Sequence, residues 1–187
     1  KVRYGDKVII NIENWKVKPN QRWFIQGANG SGKSTLLSLI VADHPQAYSN
    51  EVVLFGKKRG TGESIWDIKR RLGYFSSELL RYFSSQSTSA DIIASGWSDN
   101  ASLDVSKISE QQKALVFELS AWLGLDSLLG IKFGSLSFSQ QKMILIARAM
   151  IRNPELLILD EPLQGMDEDW REVFKNKLDL FSRNRTV

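Results

Sequence analysis

The 187-residue sequence contains no cysteine, a single histidine and only four prolines. Without cysteine there are no disulfides and no thiolate metal sites, which is also a weak indication of the cytosol. No uninterrupted apolar stretch approaches the roughly 18 residues that a membrane span needs. The chain opens on the polar stretch 1–6, which does not have the apolar character of a signal peptide. Any link to a membrane is therefore expected to go through a partner protein.

Charge of one sign is also scarce, since 25 basic and 21 acidic side chains leave a formal net charge of only +4. Such a small excess is typical of an ordinary solvated surface. The basic clusters at 57–59 and 69–71 are short, and they are typical of a turn and of a helix face. The composition does not favour nucleic acid as a partner, although it leaves that partner open. With 42% hydrophobic residues, the chain can bury the core of one domain, residues 1–187.

The first part of the chain has two apolar, extended runs, Val8–Ile12 and Arg22–Gln26, which we predict to be strands. A tight turn at 18–21 separates them, in which Asn20 tolerates a positive φ. The second run leads into the glycine-rich segment 27–32, and a helix is predicted to begin near Lys33.

The remainder alternates strand and helix patterns. Residues 51–75 predict a strand, a turn, a short helix near 64–71 and a second strand, and a capping box at Ser109 predicts the start of a helix. A further helix is predicted over 140–151, followed by a short apolar strand at 156–159 and a last amphipathic helix near 170–181. The pattern indicates an α/β fold with a mostly helical insertion.

The segment Gly27–Ser34 matches the phosphate-binding pattern G-x-x-x-x-G-K-[ST] at every fixed position and lies between a predicted strand and a predicted helix. Glycines let consecutive backbone N–H groups face phosphates, and the helix N-terminus adds positive potential. Lys33 supplies a catalytic charge for the β- and γ-phosphates, and the Ser34 hydroxyl can bind Mg²⁺. The candidate ATP-binding residues here are Gly27, Asn29, Gly30, Ser31, Gly32, Lys33, Ser34 and Thr35.

The apolar run 156–159 ends in Asp160 and Glu161. Open α/β sheets place their ligands at the carboxyl ends of the strands. We therefore predict that Asp160 binds Mg²⁺ and that Glu161 is the catalytic residue that polarises the attacking water.

Residues 27–35, 136–140 and 156–167 together resemble the ABC ATPase family over nearly the whole chain. The resemblance implies a P-loop NTPase core with a mostly parallel sheet flanked by helices, an N-terminal antiparallel β portion and an inserted helical subdomain. The core would cover 1–77 and 145–187, and the insertion about 78–144. The cofactors would be ATP and Mg²⁺.

The resemblance also implies a partner. The signature segment 136–140 would supply Ser137, Ser139 and Gln140 to ATP bound on a second ABC cassette, arranged head-to-tail in the same chain or in a homodimer. Asp167 would couple the two sites. A membrane transport subunit is a further partner that the resemblance allows.

The sequence departs from the family pattern at three places. Phe138 and Ser139 replace the two glycines of the signature segment. Ser77 or Glu78 stands where the family has a glutamine near the metal, so Ser77 is a candidate Mg²⁺ ligand. The chain stops at 185–187, where the strand before the family's switch histidine would begin, and His44 is expected in a surface loop. We therefore expect a C-terminally truncated cassette that is a weak or inactive ATPase by itself.

Tyr4 is placed by the resemblance to stack on adenine, although a packing role for it is an equal alternative. A narrower resemblance is to a bacterial subfamily with two cassettes in one chain, named for molybdate transport or photorepair. We therefore expect one cassette of a head-to-tail ATPase pair linked to molybdate transport, in the cytoplasm or peripherally at the inner face of the plasma membrane. The alternative is a soluble regulatory ATP-binding module with weak or no hydrolysis that is not coupled to transport.

Overall fold

The computed structural model describes residues 1–41, 44–47, 49–62, 64–98 and 103–187. Its α-helices cover Lys33–Ile40 (α1), Ile65–Lys69 (α2), Ser89–Ala94 (α3), Glu110–Leu123 (α4), Phe138–Met150 (α5) and Glu168–Phe181 (α6). Its β-strands cover Val2–Tyr4 (β1), Lys7–Ile10 (β2), Val53–Leu54 (β3), Lys57–Lys58 (β4), Leu72–Ser76 (β5) and Leu156–Asp160 (β6). The predicted α/β class, with parallel and antiparallel strand pairs, is confirmed.

The N-terminal strands form an antiparallel pair, β1 with β2. The predicted turn is present, because Asn20 has φ 63° and Gln21 N donates to Lys18 O at 3.3 Å. The prediction of a regular strand at Arg22–Gln26 was wrong. A strand needs a repeated ladder of partners, whereas here Trp23 N donates to Val187 O (2.8 Å) and Val187 N donates to Gln21 O (3.1 Å), with no ladder beyond them in the described residues.

The central pair, β5 and β6, is parallel, with a register that runs from Leu72 opposite Leu156 to Ser76 opposite Asp160. Thr186 bridges Leu156 in parallel on the other side of β6. Because parallel strands end at the same edge, the segments that follow Ser76 and Asp160 leave the sheet side by side. This edge is where the candidate site is built.

Helix starts follow the capping patterns of the sequence. Capping boxes open α3 at Thr88, α4 at Ser109 and α5 at Ser137, each with a side chain that accepts from the N–H three residues later. The predicted box at Ser109 is confirmed. Helix α5 begins two residues earlier than predicted, because Ser137 rather than a later residue is its cap.

Helix α5 runs through the middle of the main hydrophobic core. Residues Met143, Ile144, Leu145, Ile146 and Ala147 are each at most 1% exposed, and the same core includes Phe75 of β5 and Ile92 of α3. Helix and strand approach closely at Gly73, where an added Cβ would lie 2.3 Å from Ala149 O. This packing holds the C-terminal end of α5 against the start of β5. The division into a core and an insertion stays a prediction.

Within the described part of the chain, no helix is both long enough and apolar enough to cross a lipid bilayer.

Candidate nucleotide-binding site

The loop at 27–32 adopts backbone conformations and makes close contacts that leave no room for side chains at its glycine positions. Gly30 and Gly32 have φ of 77° and 94°, in the left-handed region that favours glycine. A Cβ added at Gly32 would lie 2.9 Å from Ile9 Cγ2, and one added at Gly27 would lie 2.5 Å from Ser31 Oγ. The glycines therefore permit a tight loop pressed against β2, as the sequence pattern predicts.

Helix α1 opens directly onto this loop. Its N-cap is Gly32, which offers no side chain to its first N–H groups, so these donors and the positive end of the helix dipole are left for an anion. Lys33 Nζ donates to Gly27 O (2.8 Å) and Ala28 O (3.1 Å), which holds the ammonium over the same loop. A cavity of about 240 Å³ lies here, lined by Ile9, Gly30, Gly32, Lys33, Ser34 and Thr35.

The end of β6 reaches the start of α1. The Ser34 hydroxyl lies beside the Asp160 carboxylate and lowers its pKa, although burial is the larger influence and raises this pKa. The nearby charges of Glu161 and Glu78 raise this pKa further, while Ser34 and the Lys33 ammonium oppose the rise. Two oxygens from distant parts of the sequence thus meet where a hard cation could bind. In the described residues no group of three or more His, Asp or Glu side chains is placed to hold a metal, so phosphate oxygens and water would complete such a site.

Glu161 follows in an exposed position with an unusual backbone. Its φ is 50°, a left-handed conformation that is uncommon for a residue with a Cβ. Its carbonyl oxygen accepts from Ser77 Oγ at 3.4 Å and from Lys142 Nζ at 3.2 Å. The predicted Mg²⁺ ligand Ser77 therefore lies beside the candidate catalytic residue, and its contact there is with main chain.

Lys142 is a site residue that sequence reasoning missed. Its side chain is fully buried, and Nζ also donates to Gln164 O at 2.5 Å. The rings of Phe75 and Phe138 lie 5.8 and 5.4 Å from Nζ. Burial lowers the pKa of Lys142, and the charge of Glu161 opposes that shift. The available signal was a lysine directly before the apolar run 143–147, on a helix that this run predicts to be buried.

The signature residues gather at the N-terminus of α5. Ser137 Oγ accepts from Gln140 N at 3.3 Å, and Gln140 Oε1 accepts from Ser137 N at 2.9 Å. Ser139 is 3% exposed, and its Oγ accepts from Asp167 N at 2.9 Å. A hydrogen bond from the Ser139 hydroxyl is the main cause that lowers the pKa of Asp167. The structure therefore brings together the four residues predicted to face a partner cassette.

Two further residues complete the comparison with sequence. Tyr4 ends β1 opposite Lys7, and its side chain lies outside what the structure describes. The expectation that His44 lies in a surface loop was wrong: it is 8% exposed, and its Nδ1 accepts from Gln46 N at 3.1 Å. Packing behind α1 buries this ring, which a single polar letter in the sequence does not indicate.

Three features together define an ATP-binding cassette. They are a glycine loop under α1, an acidic strand end beside it, and a capped helix that faces the following loop. The ABC transporter family model matches residues 10–164, and the chain belongs to this family. It is 45% identical over 180 residues to the ABC transporter ATP-binding protein ModF of Escherichia coli, covering 96% of this chain and 36% of ModF.

Two other similar proteins are also ABC transporter ATP-binding proteins. An uncharacterized ABC transporter ATP-binding protein of Schizosaccharomyces pombe is 35% identical over 95% of this chain and 36% of its own length. The uncharacterized ABC transporter ATP-binding protein YmeB of Lactococcus lactis is 33% identical over 97% of this chain and 69% of its own length. The chain thus spans about a third of the first two relatives.

A solved structure supports the fold. A metal-chelate type ABC transporter in an inward-facing conformation matches with a TM-score of 0.67 and 27% identity, over 93% of this chain and 63% of that one. The P-loop NTPase fold that the sequence resemblance implied is confirmed, and with it the assignment of an ATP-binding module.

Proposed function

We propose that this cassette binds Mg-ATP on residues 27–35 and hydrolyses it when it is paired head-to-tail with a second cassette. The observation that carries the proposal is the proximity of the Ser34 hydroxyl at the start of α1 to the Asp160 carboxylate at the end of β6. It brings the phosphate-binding helix to the acidic end of β6, so that both oxygens can bind one Mg²⁺. The metal would neutralise phosphate charge.

Each side chain then has a defined task. Lys33 leaves its two carbonyl partners for the β- and γ-phosphates, which lie at the positive end of α1. Glu161, exposed directly after Asp160, orients and polarises the attacking water. A cation bound here would favour the ionised form of Asp160, because a positive charge would offset the effect of burial on its pKa.

The pairing surface is the N-terminus of α5. Since the Ser139 hydroxyl is used by Asp167, Ser139 offers the partner's ATP its backbone N–H, and Ser137 and Gln140 flank it. The partner is a second cassette, in the same chain or in a copy of it. The link to molybdate transport rests on subfamily resemblance. The location, in the cytoplasm or peripherally at the inner face of the plasma membrane, and a transport subunit that would dock near 76–80 are proposals of the same kind.

A second candidate function is a regulatory ATP-binding module with weak or no hydrolysis. It is favoured by Phe138, whose ring occupies a signature position and is 48% exposed where the partner would approach. Ser77, in the place of the family's glutamine, favours it as well.

The test is ATP turnover by the intact protein compared with its Glu161→Gln variant. Turnover should fall by about 100-fold or more while Mg-ATP binding is retained, because the base is lost and the phosphate loop is not. Glu118→Gln, the same change on the exposed face of α4, is the matched control and should leave turnover unchanged. Mg-ATP binding without turnover in the unaltered protein would establish the regulatory module instead.

A further inference from the structure

Lys142 lies at the contact between α5 and the segment that follows β6. Its ammonium group donates to two backbone oxygens of this segment, those of Glu161 (3.2 Å) and Gln164 (2.5 Å). Two aromatic rings, those of Phe75 and Phe138, face the same nitrogen. Two carbonyls and two rings therefore stabilise this buried cation.

An apolar residue would fill the same space without the cost of burying a charge. The five residues that follow Lys142 on α5 are all apolar and buried, so the local environment suits a hydrophobic side chain. Replacing Lys142 with an apolar residue would remove the cost of burying a charge, but it would also take a donor away from the carbonyls of Glu161 and Gln164. These two effects on stability oppose each other, so the carbonyl groups that Lys142 contacts are the better indication of its role.

One of these carbonyls belongs to a strained residue. Glu161 adopts φ 50°, and such a conformation persists only where the surroundings hold it. The segment makes a turn of its own, since Gln164 N donates to Glu161 O at 3.3 Å. Lys142 bonds to both ends of that turn, at residues 161 and 164, and so fixes its position against α5.

The same face of α5 contacts the segment at two further points. The Phe138 ring lies over Gly165, and Ser139 Oγ accepts from Asp167 N. Positions 138, 139 and 142 are neighbours on one helix face, because residues four apart lie one turn from each other. The residues at the N-terminus of α5 and the carbonyl of Glu161 are therefore parts of one contiguous contact.

We propose that Lys142 is a positioning residue: by holding the main chain of Glu161 and Gln164 it aims the Glu161 carboxylate at the nucleotide site and links it to the N-terminus of α5. The inference rests on the proposed hydrolysis, and it adds a residue that acts through Glu161 without touching the nucleotide.

The experiment compares Lys142→Met and Lys142→Gln in the intact protein. Methionine keeps the length and volume but has no donor, whereas glutamine keeps two N–H donors. For Lys142→Met, kcat should fall by about tenfold to 100-fold with KM for ATP almost unchanged, because the catalytic group is misplaced and the phosphate loop is intact. The melting temperature should change by only a few degrees, because removing the buried charge offsets the loss of two hydrogen bonds. Lys142→Gln should retain more of kcat than Lys142→Met.

Amide hydrogen exchange gives a readout that does not need turnover. The N–H groups of Gln164, Met166 and Asp167 are hydrogen-bonded, so they should exchange faster in Lys142→Met, while the N–H groups of residues 33–40 should not. Gln141→Met is the matched control: Gln141 Nε2 also donates to two carbonyls, Phe133 O (3.0 Å) and Leu136 O (3.2 Å), in the segment that precedes α5. This change should leave exchange at 164–167 unaltered.

The outcomes separate the two proposals. Unchanged exchange at 164–167 in Lys142→Met would overturn the positioning role, as would an unchanged kcat in an active protein. A melting temperature that falls together with kcat and ATP affinity would reduce Lys142 to a stability residue and also overturn it. If the unaltered protein binds Mg-ATP without hydrolysing it, the hydrolysis proposal fails, and the exchange experiment still decides whether Lys142 holds the segment.

Discussion

The ring of Phe138 lies so close over Gly165 that a Cβ added at Gly165 would be 2.9 Å from Phe138 Cε1. Phe138 stands at a signature position where the family has glycine, and Gly165 lies in the loop between β6 and α6. An aromatic in the signature segment is therefore matched by a glycine in the facing loop. Gly165 also has φ 70°, so two separate features favour glycine here: the left-handed backbone and the close contact with the Phe138 ring.

Gly165→Ala should therefore destabilise the protein through two separable effects. The left-handed conformation costs an alanine roughly 1–2 kcal/mol, and the contact with the ring adds about 1 kcal/mol or more. In a Phe138→Ala background the second cost should disappear and the first should remain. Urea unfolding of the four members of this double-mutant cycle measures both.

Gly124 supplies the control for that cycle. Its φ is 74°, close to that of Gly165, and an added Cβ would meet no heavy atom within 4 Å. Gly124→Ala should cost about the same as Gly165→Ala in the Phe138→Ala background. Equal costs for Gly165→Ala with and without the ring would show that Phe138 does not constrain the loop.

Gly73→Ala should also be damaging, although its backbone needs no positive φ. An added Cβ would lie 2.3 Å from Ala149 O and 2.9 Å from both Leu157 Cδ1 and Pro154 Cγ. Two of these neighbours belong to backbone or to a proline ring and cannot move aside, so β5 must separate from α5. We expect a loss of about 1–3 kcal/mol in the free energy of unfolding, measured in urea.

Gly130 is the matched position for this substitution, because a Cβ there would meet nothing within 4 Å. Gly130→Ala should change the free energy of unfolding by no more than about 0.5 kcal/mol. If Gly73→Ala proved equally harmless, the close packing of β5 on α5 would be contradicted.

Glu155 should give the protein a small, pH-dependent stabilisation. Arg71 Nε and Nη2 each donate to its carboxylate at 2.6 Å, and this hydrogen bonding lowers the pKa of Glu155 despite some opposing burial. A depressed folded-state pKa stabilises the protein above the unfolded-state pKa, and the effect is lost as pH falls through the folded-state value. Glu155→Gln should therefore lower stability at pH 7, and by only about 0.2–1 kcal/mol because both side chains are exposed.

Urea unfolding of Glu155→Gln and of the unaltered protein at pH 7 and near pH 3 checks this, and the difference in the free energy of unfolding should shrink at the lower pH. Asp67→Asn, which breaks a longer exposed pair with Arg70 at 3.6 Å, is the comparison and should have a smaller effect at pH 7. A loss in Glu155→Gln that is independent of pH would assign the effect to packing and not to the ion pair.

The sequence by itself determined the parts of the site that depend on local pattern. Residues 27–34 and the strand ending in Asp160 are each contiguous, and their chemistry requires those residue types in that order. The helix starts at Ser109 and after Gly32 are also local, because caps act within one turn. For the same reason, the α/β class followed from the alternation of short apolar runs and helical periodicity.

Tertiary structure alone decided which distant groups meet. The segment Arg22–Gln26 has strand-like residues, but strand formation needs a partner ladder that lies elsewhere in the chain. Packing between elements that are distant in sequence produces the features that the sequence did not indicate. These are the burial of His44 and Lys142, the left-handed backbone of Glu161 and the hydrogen bond between Ser139 and Asp167. The residues that make these contacts are separated in sequence, so no local pattern contains them. Only the folded chain shows that the main chain of Glu161, the candidate base, is hydrogen-bonded to Lys142 on α5, the helix that begins in the signature segment.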